Sequence, residues 1–311
     1  ETEYSLNAIP FGGFVKIFGE DPNDESLSGA ERARAISSKP RYIQAAVLVA
    51  GVTFNLIFAW ILISSGYLIG LPSPENHQGL GTVENVKLTV ITVAPGTPAS
   101  EGGIKSGDVI VSATSEGKYV LKDVTAQSVS NFIEAHGKEG VIFGLTRAGK
   151  SVDSEKIIGK QGIVAGKLAV GIAMDNVGTL KLPIHQAFIQ GAKDTGNLFI
   201  AITNGLGHFI GQIFVGEGSL KDVTGPVGIV GIVGDVSKLG FVYLMSFTAL
   251  ISINLAVINL LPFPALDGGR LVIVFVEAIR RKPISPKIAN MLNGVGFVLL
   301  IGLMLVVTVH D

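Results

Sequence analysis

The stretch Asn259-Leu-Leu-Pro-Phe-Pro-Ala-Leu-Asp-Gly-Gly-Arg270 decides the fold, because it places a carboxylate, Asp267, at the edge of a long apolar run. An aspartate at the centre of a membrane-spanning helix costs roughly 2.5–3.5 kcal/mol on insertion scales, so an acid kept there marks a candidate functional site. The two prolines remove backbone donors and the two glycines loosen the chain, so we expect the helix to break here. A turn between helices with a solvated aspartate is the alternative interpretation.

The composition indicates a membrane protein. Charged residues make up 16% of the chain and hydrophobic residues 48%, with a mean hydropathy of +0.51, whereas a soluble domain carries about 25% charged residues. Residues 42–71, 241–262 and 290–309 have the length that a bilayer-spanning helix requires. Residues 183–215 contain polar interruptions and one apolar face, which predicts an amphipathic interfacial helix. The net charge of -1 gives no reason to expect a nucleic-acid partner.

Basic residues predict the orientation in the membrane. They precede the first span and fill residues 263–289, a predicted cytoplasmic loop between the second and third spans. The side of the membrane that carries such loops is the cytoplasmic one. With three spans, the segment from about Pro72 to Lys238 then lies outside. The absence of cysteine removes any disulfide or thiolate metal site.

The motif around Asp267 resembles the second metal motif of the site-2 proteases, the intramembrane zinc metalloproteases. The resemblance implies that Asp267 is a Zn²⁺ ligand and that the protein lies in a bacterial cytoplasmic membrane. It further implies substrates that are single-span membrane proteins, such as anti-sigma factors or remnant signal peptides, cleaved in regulated intramembrane proteolysis. Two other elements resemble the family: Gly225-Pro-Val-Gly-Ile229, and Ala50-Gly-Val-Thr-Phe-Asn55, in which Val52 stands where the family usually has proline.

The predicted external segment contains a stretch, Val93 to Val111, that resembles the core of a bacterial PDZ domain. We expect a PDZ-like α+β domain over residues 79–178, which would bind peptides by strand addition. Gly79, Leu80 and Gly81 are the candidate ligand loop, and a glycine-rich linker is the alternative. The residue pattern predicts strands over 108–113 and 167–173 and a helix over 124–136.

The N-terminal residues 1–20 contain two short apolar runs divided by Pro10 to Gly13, which predicts a β-hairpin. It resembles the re-entrant hairpin of site-2 proteases, whose edge would hold an extended substrate. A soluble cytoplasmic β-turn is the alternative. The candidate substrate-binding residues are Phe14, Val15, Lys16 and Ile17 on this hairpin and Asn254 and Asn259 on the helix before Asp267.

The family's first metal motif is absent. No His-Glu-x-x-His occurs, and none of the five histidines has a second histidine four residues away. We therefore expect a polytopic α-helical membrane protease that is truncated before Glu1, with the general-base glutamate in the missing helix and no activity on its own. The alternative is a catalytically silent membrane scaffold that binds peptides through its PDZ domain. A transporter is disfavoured because no second copy of the Asp267 motif is present.

Overall fold

The computed structural model describes residues 18–19, 29–164, 166–216, 225–282 and 284–310. The predicted hairpin at residues 1–20 lies outside this part of the chain, apart from Phe18 and Gly19. The chain forms two units. We call the unit formed by the chain up to Asn55 and by Leu255–Val306 the motif unit. We call the unit formed by Leu56–Asn254 and the residues from Val307 the domain unit.

Apolar runs and helix-forming segments produce nine helices in the described residues. In chain order they are α1 (Gly29–Arg34), α2 (Arg41–Ile69), α3 (Pro98–Glu101), α4 (Ala126–His136), α5 (Ile184–Val215), α6 (Pro226–Leu239), α7 (Phe241–Leu260), α8 (Asp267–Arg280) and α9 (Pro286–His310), with one 3-10 turn at Ile36–Ser38. Three are long and apolar enough to cross a membrane: α2, α7 and the Lys287–Thr308 part of α9. The protein is therefore a membrane protein, as its composition predicts.

Alternating and β-branched residues form a β domain inside the domain unit. Its strands are β1 (Leu71–Pro74), β2 (Val83–Val93), β3 (Val109–Ser115), β4 (Tyr119–Val120), β5 (Val141–Arg147), β6 (Lys150–Asp153), β7 (Lys160–Val164), β8 (Lys167–Ala169) and β9 (Ile172–Leu180). The main antiparallel sheet has the order β1-β9-β2-β3-β5-β6, with β4 paired to β3. β7 and β8 form a separate two-stranded hairpin.

The predicted strand over residues 167–173 is wrong in one respect, because the structure divides it between β8 and β9. Gly171 lies between the two strands with φ +92, a left-handed conformation that breaks a strand and favours glycine. The predicted helix over 124–136 begins at Ala126, since Thr125 caps it. The Thr125 side chain accepts the Ser128 amide, and the Ser128 hydroxyl accepts the Thr125 amide.

The core of the β domain lies between α4 and the sheet, with Phe143, Leu145, Val129 and Val90 fully or almost fully buried. A buried ion pair closes one corner of this core. The Asp108 side chain is 1% exposed and receives two hydrogen bonds of 2.7 Å from the guanidinium of Arg147. Its Oδ2 also accepts the Lys105 amide at 2.8 Å. The hydrogen bond to Asp108 raises the pKa of Arg147 above its ordinary value.

The first half of α5 packs against the second half of α2 within the domain unit. The Trp60 indole donates to the Phe188 carbonyl at 2.8 Å, and the Tyr67 hydroxyl donates to Asp194 at 2.5 Å. Gly191 permits close approach, because a Cβ there would lie 2.3 Å from Ser64 Oγ. The predicted interfacial segment is thus a continuous 32-residue helix whose N-terminal part is fixed to α2.

Candidate metal centre and peptide groove

A tight turn positions Asp267. Residues 261–266 link α7 to α8 and fold over the first turn of α8, where Gly268 and Gly269 follow the carboxylate. A Cβ on Gly268 would lie 2.2 Å from the Leu261 carbonyl oxygen, and one on Gly269 would lie 2.2 Å from that of Phe263. No real Cβ fits at such distances. The two glycines therefore allow the turn to lie directly on the start of the helix.

The same turn is held by α9 within the motif unit. The Ala265 amide donates to Asn293 Oδ1 at 3.4 Å, and Ala265 has a φ of 75, which is unusual for a residue with a Cβ. Gly296 leaves room for Pro264, since a Cβ there would lie 2.3 Å from the Pro264 carbonyl oxygen. The backbone around Asp267 is thus fixed by neighbouring elements as well as by its own sequence.

Asp267 is the first residue of α8, and the N-cap residue Leu266 provides no side-chain cap. The positive end of the helix dipole favours a negative charge at this position. The carboxylate lies beside α2, because a Cβ on Gly51 would be 3.8 Å from Asp267 Oδ2. Asp267 therefore lies next to α2 at a position that has no side chain.

The site lies well along the first membrane helix. At the other end of α8, Arg41 Nη1 pairs with Glu277 Oε2 at 2.9 Å. Ten residues separate Gly51 from Arg41 on α2, and ten separate Asp267 from Glu277 on α8. α8 therefore runs antiparallel to the first part of α2, and Asp267 lies about 15 Å from the start of α2 at 1.5 Å per residue.

The predicted loop over residues 263–289 is wrong in its secondary structure, and its cytoplasmic side stays a prediction. The segment contains a 14-residue helix, α8, which follows α7 after a short break and returns along α2. The Pro and Gly residues break the chain before and at Asp267, whereas the apolar residues beyond Arg270 again favour a helix. α7 and α8 are thus two helices separated by a short break at residues 261–266.

The described residues contain no group of three or more His, Cys, Asp or Glu side chains that could hold a metal. All five histidines belong to the domain unit: His77 follows β1, His136 ends α4, His185 and His208 lie on α5, and His310 ends α9. Zinc accepts carboxylate oxygen, so Asp267 fits one ligand position, but a zinc site needs three protein ligands. The described chain therefore provides one part of such a site.

The two candidate substrate-binding asparagines lie on α7, five residues apart, which separates them by about 140° around the helix. Asn254 Nδ2 donates to the Leu250 carbonyl at 2.9 Å, within its own helix. For Asn259, a half-buried residue, no side-chain hydrogen bond is present among the described residues. Because of the 140° between them, the two asparagines lie on different faces of α7. Phe14, Val15, Lys16 and Ile17 lie outside the described residues.

The candidate ligand loop Gly79, Leu80 and Gly81 lies against the start of α5. The Leu80 amide donates to Gln190 Oε1 at 3.2 Å. Gly81 has a φ of +87, and a Cβ there would lie 2.4 Å from Leu182. Gln190 in turn donates to Asp194, which also accepts a hydrogen bond from the Tyr67 hydroxyl. The loop therefore takes part in the network that fixes α5 to α2.

A groove of about 300 Å³ opens elsewhere in the β domain, between α4, the β7–β8 hairpin and the start of β9. Its lining is mostly apolar, with Ile133 on α4, Leu168 on β8 and Ile172 and Met174 on β9. β2 pairs with this part of β9, whereas β1 pairs only with Val177–Leu180. Among the described strands, none covers the other edge of β9 over residues 172–175. Gly79–Gly81 is not part of the groove lining.

The fold and the site define a membrane protein in which a helix, α8, begins at a carboxylate after a short break in the chain. The family model of peptidase family M50 matches residues 1–303. A protein of Clostridium perfringens, named a candidate zinc metalloprotease, is 36% identical over 317 residues, covering 100% of this chain and 84% of the relative. The zinc metalloprotease RasP of Oceanobacillus iheyensis is 32% identical over 289 residues, which cover 89% of this chain and 61% of the relative.

The membrane metalloprotease ARASP of Arabidopsis thaliana, a chloroplastic protein, is 30% identical over 315 residues, which cover 98% of this chain and 67% of the relative. The chain belongs to peptidase family M50, and the predicted membership of the site-2 proteases is confirmed. Zinc, the predicted cofactor, is the metal that the names of its relatives carry.

Sequence reasoning missed three residues that build the site: Gly51, Glu277 and Asn293. A signal for Glu277 was present, because it is the only acidic residue between Gly268 and Ser285 in a basic, apolar segment. Gly51 belongs to the motif Ala50–Asn55, but nothing in that motif indicates that it lies beside Asp267. The signal for Asn293 is weak, since one amide in a membrane helix usually serves to bind a neighbouring helix.

Proposed function

We propose that this protein is an intramembrane zinc metalloendopeptidase in which Asp267 is one of the metal ligands. The observation that carries the proposal is the position of Asp267, at the start of a helix inside a broken span and beside Gly51. Bound zinc would polarise the scissile carbonyl and activate water. The two imidazole ligands and the general-base glutamate are proposed to come from a His-Glu-x-x-His helix.

The test supplies that helix by fusing a His-Glu-x-x-His segment to the N-terminus of the chain. Cleavage of a single-span helical substrate is then measured in proteoliposomes. The fusion should cut the substrate, and Asp267→Asn should abolish cleavage while Asp123→Asn, an exposed aspartate of the β domain, should not. Cleavage that survives Asp267→Asn would exclude the proposed ligand. A fusion that binds zinc but cuts no membrane substrate would favour another function.

We propose that the substrate is held in an extended form by the edge of the N-terminal hairpin, Phe14 to Ile17, and by Asn259 on α7. A helical peptide must be unwound before its backbone can be cut, and hydrogen bonds to that backbone offset part of the cost. Asn259 supports this role, because it has no side-chain hydrogen bond among the described residues. Asn254, which bonds to its own helix, is the weaker candidate.

Asn259→Leu and Val15→Pro should each lower cleavage by about tenfold and leave zinc content unchanged, since a hydrogen bond contributes roughly 0.5–1.5 kcal/mol. A substrate with helix-breaking Gly or Pro near its cleavage site should be affected less. Wild-type rates of the variants on both substrates would show that these residues do not hold the substrate.

We further propose that the β domain is PDZ-like and extracytoplasmic, and that the basic turn after α8 is cytoplasmic. The chain contains no cysteine, so single cysteines report the two sides without interference. Lys118→Cys, on an exposed turn of the β domain, should react from outside intact cells, and Ser285→Cys should not. Labelling of both from outside would overturn this orientation.

The second candidate function is a scaffold that binds peptides in its β domain, and the groove between α4 and β9 favours it. Its apolar lining and the free edge of β9 suit an extended peptide with aliphatic side chains. Val164→Asp, at the groove, should weaken binding of such a peptide about tenfold or more. Val111→Asp is the matched control, because Val111 is equally exposed but is not in the groove. Equal effects of the two substitutions would show that the groove does not bind the peptide.

A further inference from the structure

Glu277 joins three parts of the motif unit. Its Oε2 pairs with Arg41 Nη1 at 2.9 Å at the start of α2. Its Oε1 accepts the Ile284 amide at 2.8 Å, in the turn that leads to α9. The glutamate itself lies on α8 and its side chain is only 10% exposed. One carboxylate thus connects α2, α8 and the turn before α9.

The partner of Glu277 is itself oriented. Arg41 Nη1 also donates to Gln44 Oε1 at 3.1 Å, and Gln44 Nε2 donates to the Lys39 carbonyl at 2.8 Å. These bonds tie the guanidinium to the first turn of α2 and to the residues before it. The ion pair therefore has a fixed end on α2, whereas a mobile pair between two long surface side chains would not define a position.

We propose that Glu277 is a positioning residue for Asp267: its pair with Arg41 sets the register of α8 along α2 that places the Asp267 carboxylate beside Gly51. The inference rests on the proposed metal role of Asp267. α8 lies next to α2 at two points ten residues apart, and the point at Glu277 lies away from the turn that carries Asp267. Glu277 lies about 15 Å along α8 from Asp267 and acts through the helix.

The register matters because metal ligation tolerates little displacement. Ligand distances in working sites fall within about 0.2 Å of their ideal values. A slip of α8 by one residue moves it about 1.5 Å and turns it by about 100°. Either change would carry the carboxylate away from Gly51. Loss of the ion pair between Glu277 and Arg41 should therefore change the position of Asp267 even though the turn around Asp267 is intact.

The first measurement is a distance between spin labels at Val47→Cys on α2 and Val272→Cys on α8, two exposed positions in a chain without cysteine. The parent should give one narrow distribution. Glu277→Ala should broaden or shift it, and the charge-swapped pair Arg41→Glu with Glu277→Arg should restore it. Arg280→Ala, an exposed cation at the end of α8, is the control and should change nothing. An unchanged distribution in Glu277→Ala, or no restoration by the swap, overturns the proposal.

The second measurement is cleavage by the protein that carries the His-Glu-x-x-His helix. Glu277→Ala should lower kcat about tenfold or more with little change in KM, as expected for a group that orients a metal ligand, and the charge swap should recover most of it. If Glu277→Ala cuts normally while Asp267→Ala is inactive, the positioning role is wrong and the proposed function stands. If Asp267→Ala cuts normally, the proposed function is wrong, whatever the label distances show.

Discussion

Two aspartates in this molecule show how a structural carboxylate differs from a candidate functional one. Asp108, in the β domain, is buried and bonded to Arg147 and the Lys105 amide. Asp267 lies at the first residue of α8, beside a glycine of α2. Around Asp108 the side chains satisfy the carboxylate inside one domain. Around Asp267, glycines and prolines instead shape the backbone that carries the carboxylate.

The starts of two helices repeat this difference. α4 begins with a reciprocal pair in which Thr125 and Ser128 each accept the other's amide. α8 begins after Leu266, which provides no side-chain cap. Capping satisfies amides that would otherwise attract an anion or a ligand. The start of α4 is thus satisfied by side chains of its own helix, whereas the positive end of α8 lies at a carboxylate, Asp267.

The largest effect should come from removing the partner of Asp108. Arg147→Met leaves a buried carboxylate without its cation and should destabilise the β domain by about 3 kcal/mol or more. Hydrogen exchange of β3 and β5 in the full chain measures this loss. Lys150→Met, an exposed cation on β6, is the control. Unchanged protection in Arg147→Met would contradict the structural role of the pair.

The same ion pair predicts that its contribution to the stability of the β domain does not change with pH near neutrality. The folded pKa of Arg147 lies above its unfolded value, so its contribution is fully present below the ordinary arginine pKa and is lost only as the pH rises through the raised value. The difference in exchange between wild type and Arg147→Met should therefore be constant between about pH 6 and pH 8, with the arginine charged throughout. A decline of the difference over that range would contradict this assignment.

The second largest effect should come from a change that displaces the turn before Asp267. In Gly268→Ala the new Cβ would lie 2.2 and 2.4 Å from the carbonyl oxygens of Leu261 and Leu260, so the backbone must move. A displacement of about 1 Å at a reactive site costs on the order of a hundredfold in rate. Cleavage by the fusion with the His-Glu-x-x-His helix measures it. Gly205→Ala on α5, where no atom lies within 4 Å, should cut normally.

The smallest effect should come from the α4 cap. Thr125→Ala removes one acceptor for an amide at the helix start and should destabilise the first turn of α4 by about 1 kcal/mol. Hydrogen exchange at the first turn of α4 should rise, while that of β9 should change little. Asn131→Ala is a control on the exposed face of the same helix. Equal effects of the two changes would show that the cap contributes nothing specific.

The sequence predicts much of this fold because the deciding signals are local. Apolar length identifies the three candidate spans, and the Pro and Gly residues mark the break before Asp267. The antiparallel course of α8 along α2 depends on two contacts between residues more than 200 positions apart, Gly51 with Asp267 and Arg41 with Glu277. No local pattern encodes such a pairing. The groove at β9 was missed for the same reason, since it depends on the strand order β1-β9-β2.

The central claim is that Asp267 is a metal ligand, and zinc content tests it most directly. The chain joined to a His-Glu-x-x-His helix should purify with about one zinc ion, because three protein ligands are then present. Asp267→Asn keeps the shape of the side chain but loses its charge, and it should lose most of the zinc, whereas Asp123→Asn should keep it. Stoichiometric zinc in Asp267→Asn would contradict the claim.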